Sequence, residues 1–319
     1  MIVEADGAPN RAARLLGRLG IWSGLDLLPA GEALDYARRV EALGYDSLWI
    51  NETTGREPFA LLGALAGATS RITLAAGITS IYARDANASH AGARTVSEFS
   101  GGRFVAGLGV SHPERVGPQR GHDYLPPLAT MRAYLEAYHR APYTGPASGG
   151  PDDEPPLVVA ALRRGMVRLG ATMADGAFPF FVPVTHVARV RAWLDEVANE
   201  REAEPTVGTR VRPALVVALP VVLTDDPSAG LEAARRYSTW YLSLVNYRGN
   251  LLECGYSEDE LQPEQADRVL REVLAIGDAA AIRSRVTAMY EAGADHVALI
   301  PLRPDGRVPH LPTIEALAP

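Results

Sequence analysis

The chain has 319 residues, 47% of them hydrophobic and 22% charged, with a formal net charge of −7. Such a length buries a large core as one α/β barrel or as two smaller domains, and the acidic balance argues against a general nucleic-acid binder, since no cationic surplus exists to neutralise phosphates. No apolar stretch approaches the roughly 20 residues of a membrane span, and the single Cys254 excludes an intramolecular disulfide or a thiolate metal cluster.

All 31 basic residues other than histidine are arginine. Schiff-base chemistry, pyridoxal-phosphate attachment and a P-loop lysine are therefore excluded. The first twenty residues contain early acids and no apolar segment of signal-peptide type, so a cytoplasmic protein is expected.

Taken in order, short apolar runs alternate with stretches of helical spacing. The first predicted strand is Arg18–Ser23, followed by a helix over Gly31–Leu43. Then come strand Tyr45–Asn51 and helix Pro58–Thr69, strand Ile72–Ser80 and helix Asn87–Phe99, and strand Phe104–Val110 and helix Pro127–His139. Tyr143–Pro156 is rich in Pro, Gly, Ser and Asp and reads as a loop. Strand Leu157–Leu162 precedes helix Gly165–Met173, strand Gly176–Val182 precedes helix Val184–Asn199, and strand Ala214–Leu223 precedes helix Ser228–Val245. The segment Trp240–Ile276 is too long for one connection and holds an extra helix at Gln265–Ile276. It reads as an insertion ahead of the last unit, helix Ala279–Ala292 and strand His296–Pro301. Several strands are apolar without alternation, as in a parallel sheet covered on both faces. Eight β/α repeats over 1–319 predict a single (β/α)8 TIM barrel with an insertion at about 240–276.

Barrels of this kind carry their sites at the C-terminal strand ends. Here those ends deliver Trp22–Ser23, Asn51–Glu52, Thr79–Ser80, Ser111–His112 and Arg163–Arg164. Each has a plainer explanation: Ser111 as a helix cap, Glu52 as a partner of Arg56, His112 packed ahead of Pro113. Their convergence favours a site. The chemistry is restricted, because no HxH or HExxH pattern offers a metal site and, beyond Glu52 and Glu114 as a conceivable pair, the strand ends are short of the acids that glycoside cleavage needs. GLGVS is not a GxSxG elbow, and GRFVAGLG is not a dinucleotide fingerprint, since its glycines fall within a strand. Hydroxyls, one imidazole, arginines and aromatics at the mouth suit a large anionic cofactor that carries its own chemistry. Trp22, Tyr82, Phe180, Phe181 and Tyr247 either line an apolar substrate pocket or belong to the core.

The stretches ALGYDSLWINE, RITLAAGITSIYARD, FSGGRFVAGLGVSHPE, TMADGAFPFF and AGADHVALIPL, in this order, resemble the bacterial-luciferase-like flavin and deazaflavin oxidoreductases over nearly the whole chain. SIYARD, GLGVSH and NYRGNL point to the branch that uses coenzyme F420, an 8-hydroxy-5-deazaflavin. The resemblance implies an inserted (β/α)8 barrel, commonly dimeric. It places Asn51 and Glu52 beside the cofactor ring, where relatives often have Asp-His. It sets Gly77, Ile78 and Thr79, with Ser80, behind the deazaflavin, with the Gly77–Ile78 bond cis. Gly109, Ser111 and His112 line the same pocket. Leu162, Arg163, Arg164, Gly165 and Met166 match a phosphate-binding turn that in relatives contains Gly-Pro, and two guanidiniums there would strengthen anion binding.

The leading expectation is an F420-dependent oxidoreductase moving a hydride to or from a small carbonyl, imine or activated alkene. In it His112 donates a proton or bonds the cofactor, and Glu52 is the substitute donor. The alternatives are an FMN-dependent monooxygenase, whose relatives often hold the phosphate with a Gly-x-Ser turn absent from ALRRGM, and a flavin-binding protein without turnover.

Overall fold

The computed structural model describes residues 10–146, 154–202 and 212–319. Its strands are β1 (Leu19–Trp22), β2 (Ser47–Ile50), β3 (Thr73–Ala76), β4 (Thr79–Ser80), β5 (Phe104–Gly109), β6 (Leu157–Ala160), β7 (Gly176–Phe178), β8 (Ala214–Leu223), β9 (Ala275–Gly277) and β10 (His296–Pro301). All pairings are parallel, and β10 bonds both β8 and β1, which closes an eight-stranded barrel. The short β4 lies on β5 and β9 extends the far end of β8. Strands β2, β3, β5 and β10 are buried at every position, matching sequences that are largely apolar apart from Ser47, Thr73 and His296 at their starts.

The helices are α1 (Arg11–Leu16), α2 (Ala30–Ala42), α3 (Pro58–Ala68), α4 (Ala86–Phe99), α5 (Pro113–Arg120), α6 (Pro127–His139), α7 (Arg164–Met173), α8 (Val184–Glu202), α9 (Pro227–Ser243), α10 (Val245–Glu253), α11 (Asp267–Val273), α12 (Ala279–Glu291) and α13 (Leu311–Ala316). Side-chain caps start many of them: Asn10, Asp85, Asp226 and Asp278 each accept a backbone N–H of the following first turn. None of the described helices is long and apolar enough to cross a membrane.

Four differences from the sequence reading have physical causes. The expected strand Ile72–Ser80 splits into β3 and β4 at the cis Gly77–Ile78 bond. The helix expected to reach Val245 stops at Leu244, whose extended backbone separates α9 from α10. The extra helix ends at Val273, and Ala275–Gly277 pairs with β8 instead. Helix α5, absent from the sequence reading, starts at Pro113 although Pro118 interrupts its hydrogen bonding. Part of the loop expected at Tyr143–Pro156 lies outside the described residues.

The barrel floor is a polar knot. Trp49 Nε1 lies 3.0 Å from Ser47 Oγ and 3.1 Å from His296 Nε2, while His296 Nδ1 sits 3.1 Å from the Gly17 carbonyl. The imidazole thus donates from Nδ1 and accepts at Nε2, an arrangement only the neutral ring allows. A Cβ on Gly20 would lie 2.1 Å from Ser47 Oγ and 2.9 Å from the His296 ring, so only glycine fits beside this knot.

Burial pulls the His296 pKa down to about 4, against the opposing pull of the Gly17 hydrogen bond. An unfolded histidine titrates near 6.5, so the native state takes up the proton less readily. The associated stability is complete above about pH 6.5 and is lost as the pH falls toward 4, at about 1.4 kcal/mol per pH unit. Between pH 7 and pH 5 the wild type should lose about 2 kcal/mol more than His296→Gln in urea unfolding. Equal losses would assign the acid sensitivity to another group.

Candidate active site

The eight strands direct their C-terminal ends to one mouth, where a cavity of about 160 Å³ opens. Its walls come from Trp22 on β1, Asn51 and Glu52 after β2, Gly77 and Ile78 between β3 and β4, and Ser111 and His112 after β5. Phe178, Phe180 and the ends of β6, β8 and β10 complete it, and Trp240, Tyr241, Tyr247 and Arg115 cover it from α9, α10 and α5. A wider cavity of about 450 Å³ continues outward, sharing Trp22, Asn51 and Tyr241 and adding Asp26, Thr53 and Arg307. A third, of about 400 Å³, lies against Asn10, Leu157 and Asp175 at the opposite end and brings no strand-end chemistry together.

One wall is fixed by backbone. The Gly77–Ile78 bond is cis, as the resemblance implied. Trp22 Nε1 donates to the Gly77 carbonyl at 2.6 Å, and the Glu52 amide donates to the Ile78 carbonyl at 3.2 Å. A Cβ on Gly109 would meet the Ile78 side chain at 2.5 Å, so this glycine, expected to line the pocket, lets β5 press against this wall. Asn51 Oδ1 is buried in the same wall and has no hydrogen-bond partner. An acceptor left so has a ligand donor as its natural partner.

Glu52 is tied down on all sides. Its carboxylate meets Arg84 at 2.8 and 3.1 Å, Arg120 at 3.0 Å and the Ser80 amide at 2.7 Å. Its partners are thus Arg84 and Arg120, not Arg56, whose guanidinium donates to the Leu25 and Leu28 carbonyls. A carboxylate held by two guanidiniums and a backbone amide braces the strand ends.

Ser111 has φ 56°, a left-handed conformation uncommon for a residue other than glycine, and it reverses the chain between β5 and α5. His112 follows as the residue preceding the first turn of α5, half-buried, with its ring 5.5 Å from that of Tyr247. Burial first, and the neighbouring Arg115 second, hold its pKa below the usual histidine value, with Glu114 and the Asn246 side chain acting in the opposite sense. The imidazole is therefore neutral at pH 7.

Nine of the expected site residues line the cavity: Trp22, Asn51, Glu52, Gly77, Ile78, Ser111, His112, Phe180 and Tyr247. The others stand behind it or away from it. Thr79 donates to the Gly107 carbonyl at 3.0 Å, Ser80 caps the Glu52 carboxylate, and Gly109 packs under Ile78. Tyr82 stacks on Tyr124 and accepts from the Leu125 amide at 3.0 Å. Phe181 is fully buried behind Tyr241, and Phe180 takes the cavity position.

The turn at 162–166 does not reach the cavity. Arg163 lies over Gly249 and pairs with Glu253 at 3.2 Å, while Arg164 pairs with Glu196 at 2.7 Å. The Leu162 carbonyl accepts from His186 at 2.8 Å, Gly165 packs toward Leu128, and Met166 joins the helix-facing core. The two guanidiniums expected to hold an anion are half-exposed and each faces a surface carboxylate, that of Arg163 lying on α10. Sequence reasoning missed Arg115, Trp240 and Tyr241; the Pro at the first position of α5 was the one signal that would have placed Arg115 on a helix beside the mouth.

Comparison with known proteins adds to this geometry. A Mycobacterium tuberculosis protein named as a provisional coenzyme F420-dependent oxidoreductase is 25% identical over 252 residues, 70% of this chain and 71% of the relative. The F420-dependent tetrahydromethanopterin reductase of Methanopyrus kandleri superposes with a TM-score of 0.71 at 15% identity, covering 95% of this chain and 97% of that one. An F420-dependent secondary alcohol dehydrogenase, solved with an F420–acetone adduct, gives 0.69 at 17% identity over 89% of this chain and 92% of that one. Monooxygenases, one of them with FMN bound, share the fold as well. The family model described as luciferase-like monooxygenase matches residues 12–296, and with that span of the barrel the chain belongs to this family.

Proposed function

We propose that the chain is a coenzyme F420-dependent oxidoreductase that moves a hydride between the deazaflavin and a small organic substrate. The observation that carries this reading is an aromatic cavity at the barrel mouth with one neutral imidazole and one buried unpartnered acceptor, Asn51 Oδ1. The F420-dependent relatives support it. The residues present fit a pyrimidinedione-edged cofactor: Asn51 Oδ1 would accept from a ring N–H, and the Gly77–Ile78 wall and Trp22 offer a flat backing.

The deazaflavin, when bound, supplies the hydride acceptor and donor. The chain's own residues do the rest. Trp22, Phe178, Phe180, Tyr241 and Tyr247 exclude water and strengthen local electrostatics. Substrate held against His112 gives its hydroxyl proton to the neutral imidazole as the hydride leaves carbon, so a secondary alcohol becomes a ketone, and the reverse step returns the proton. Glu52, locked by Arg84 and Arg120, keeps the ends of β2 and β4 in register and exchanges no proton.

A second reading, an FMN-dependent monooxygenase, is favoured by the FMN-binding structure of the same fold. Titration of the purified protein with F420 and with FMN, followed by cofactor absorbance, separates the two. F420 should bind at least about tenfold more tightly, a difference of about 1.4 kcal/mol. Preference for FMN would overturn the deazaflavin reading.

His112→Ala should lower kcat by about 10²-fold or more, the usual share of general acid–base catalysis, with a much smaller change in cofactor affinity. In the oxidation direction the neutral imidazole is required, so kcat/KM should be full at pH 7 and fall as acid protonates His112 below the ordinary histidine value. Near-normal turnover in the variant would remove His112 from proton transfer.

A further inference from the structure

We propose that Arg115 recognises an anionic group of the substrate, so that the small molecule turned over carries a carboxylate or phosphate on an apolar or aromatic body. This rests on the oxidoreductase reading above and names its substrate class.

Around the mouth all but one of the described arginines have partners within the protein. Arg84 and Arg120 are consumed by Glu52, Arg56 by two backbone carbonyls, Arg163 by Glu253, Arg164 by Glu196 and Arg307 by Asp305. Arg115 differs. It lines the inner cavity, and among the described residues no carboxylate lies within ion-pair distance of it. Its neighbour in sequence, Glu114, has a buried Oε2 with no hydrogen-bond partner and does not pair with it. What meets the guanidinium is the face of Trp240, 5.5 Å from its central carbon.

Arg115 is partly buried, and the ring face beside it offers no hydrogen-bond acceptor to its five donors. The planar fork of five donors matches a carboxylate or phosphate in a way no other group of this cavity does. Besides His112, Arg115 is the sole basic residue of the cavity wall, and the remaining lining is largely apolar. A ligand complementary to this surface has an apolar body and one anionic end, with its reacting carbon beside His112. The cofactor's own phosphodiester offers the same chemistry, so the test separates the two sources.

The full-length protein, free and loaded with F420, is titrated calorimetrically with benzoate and with its neutral isostere benzamide. Wild type should bind benzoate roughly 10- to 100-fold more tightly, as expected for a charge-assisted contact. Arg115→Gln should abolish that preference while benzamide affinity and F420 affinity stay within about threefold, and Arg115→Lys should restore part of it. Equal binding of the two probes by wild type, which needs no variant, overturns the proposal, as does a benzoate preference that survives in Arg115→Gln. A variant that keeps the benzoate preference and loses F420 affinity would assign the anion to the cofactor, and overturns the substrate assignment. Should wild type fail to bind F420, the cofactor reading falls by itself, while the probes on the free protein still decide the role of Arg115.

Discussion

Barrel closure is the constraint on which the site depends. β10 pairs with β1 on one side and with β8 on the other, and the Ser47–Trp49–His296 knot ties β2 to β10 at the floor. Because every pairing is parallel, closure sends all strand C-termini to one rim. Residues as distant in sequence as Trp22 and Ile300 then share a cavity. Loss of the neutral His296 at the floor loosens two strands whose other ends hold the mouth, so stability and site geometry are linked through the same barrel.

The rim is shaped by how closely strands approach and by how its charges cancel. Gly109 allows β5 to rest against Ile78, and the carbonyls flanking the cis bond are each tied, one to Trp22 and one to the Glu52 amide. Around this rigid wall the arginines of the mouth are spent on structure. Two guanidiniums on one buried carboxylate at Glu52 form a network whose removal by halves leaves an unpaired buried charge, so both arginines and the acid act as a unit. What remains for ligand chemistry is small: one amide oxygen, one imidazole and one guanidinium.

The legible part of this molecule was its repeat. Strands buried on both faces read as unbroken apolar runs, and the eight units follow the sequence to within a few residues. The illegible part lies where local rules compete with tertiary contacts. Helix α5 carries Pro118 inside it, yet Val116 is buried and the turn persists. Leu244 gave no warning of the break between α9 and α10. At the site, strand ends such as Asn51 and His112 were readable because their position follows from the strand. Side-chain direction was not: Phe180 and Phe181 are adjacent, and the left-handed backbone at Phe181, φ 58°, sends that ring into the core. Arg163 and Arg164 looked like anion ligands because Glu253 and Glu196, which neutralise them, lie on other elements.

His112 and Arg115 stand at one end of α5, and in the proposed reaction their proximity would make proton transfer sensitive to what fills the cavity. With the cavity wall alone around it, the imidazole is kept neutral by burial and by the positive field of Arg115. An anion seated on Arg115 would offset that field, the second cause of the shift after burial, so the imidazole would gain affinity for a proton when such a substrate is in place. The base is thereby weak before binding and stronger after it. A neutral analogue of the same shape leaves the guanidinium uncompensated and the imidazole less able to take the proton. On the proposed roles, discrimination between charged and neutral substrates would enter the chemical step as well as binding, through one residue that no strand end announces.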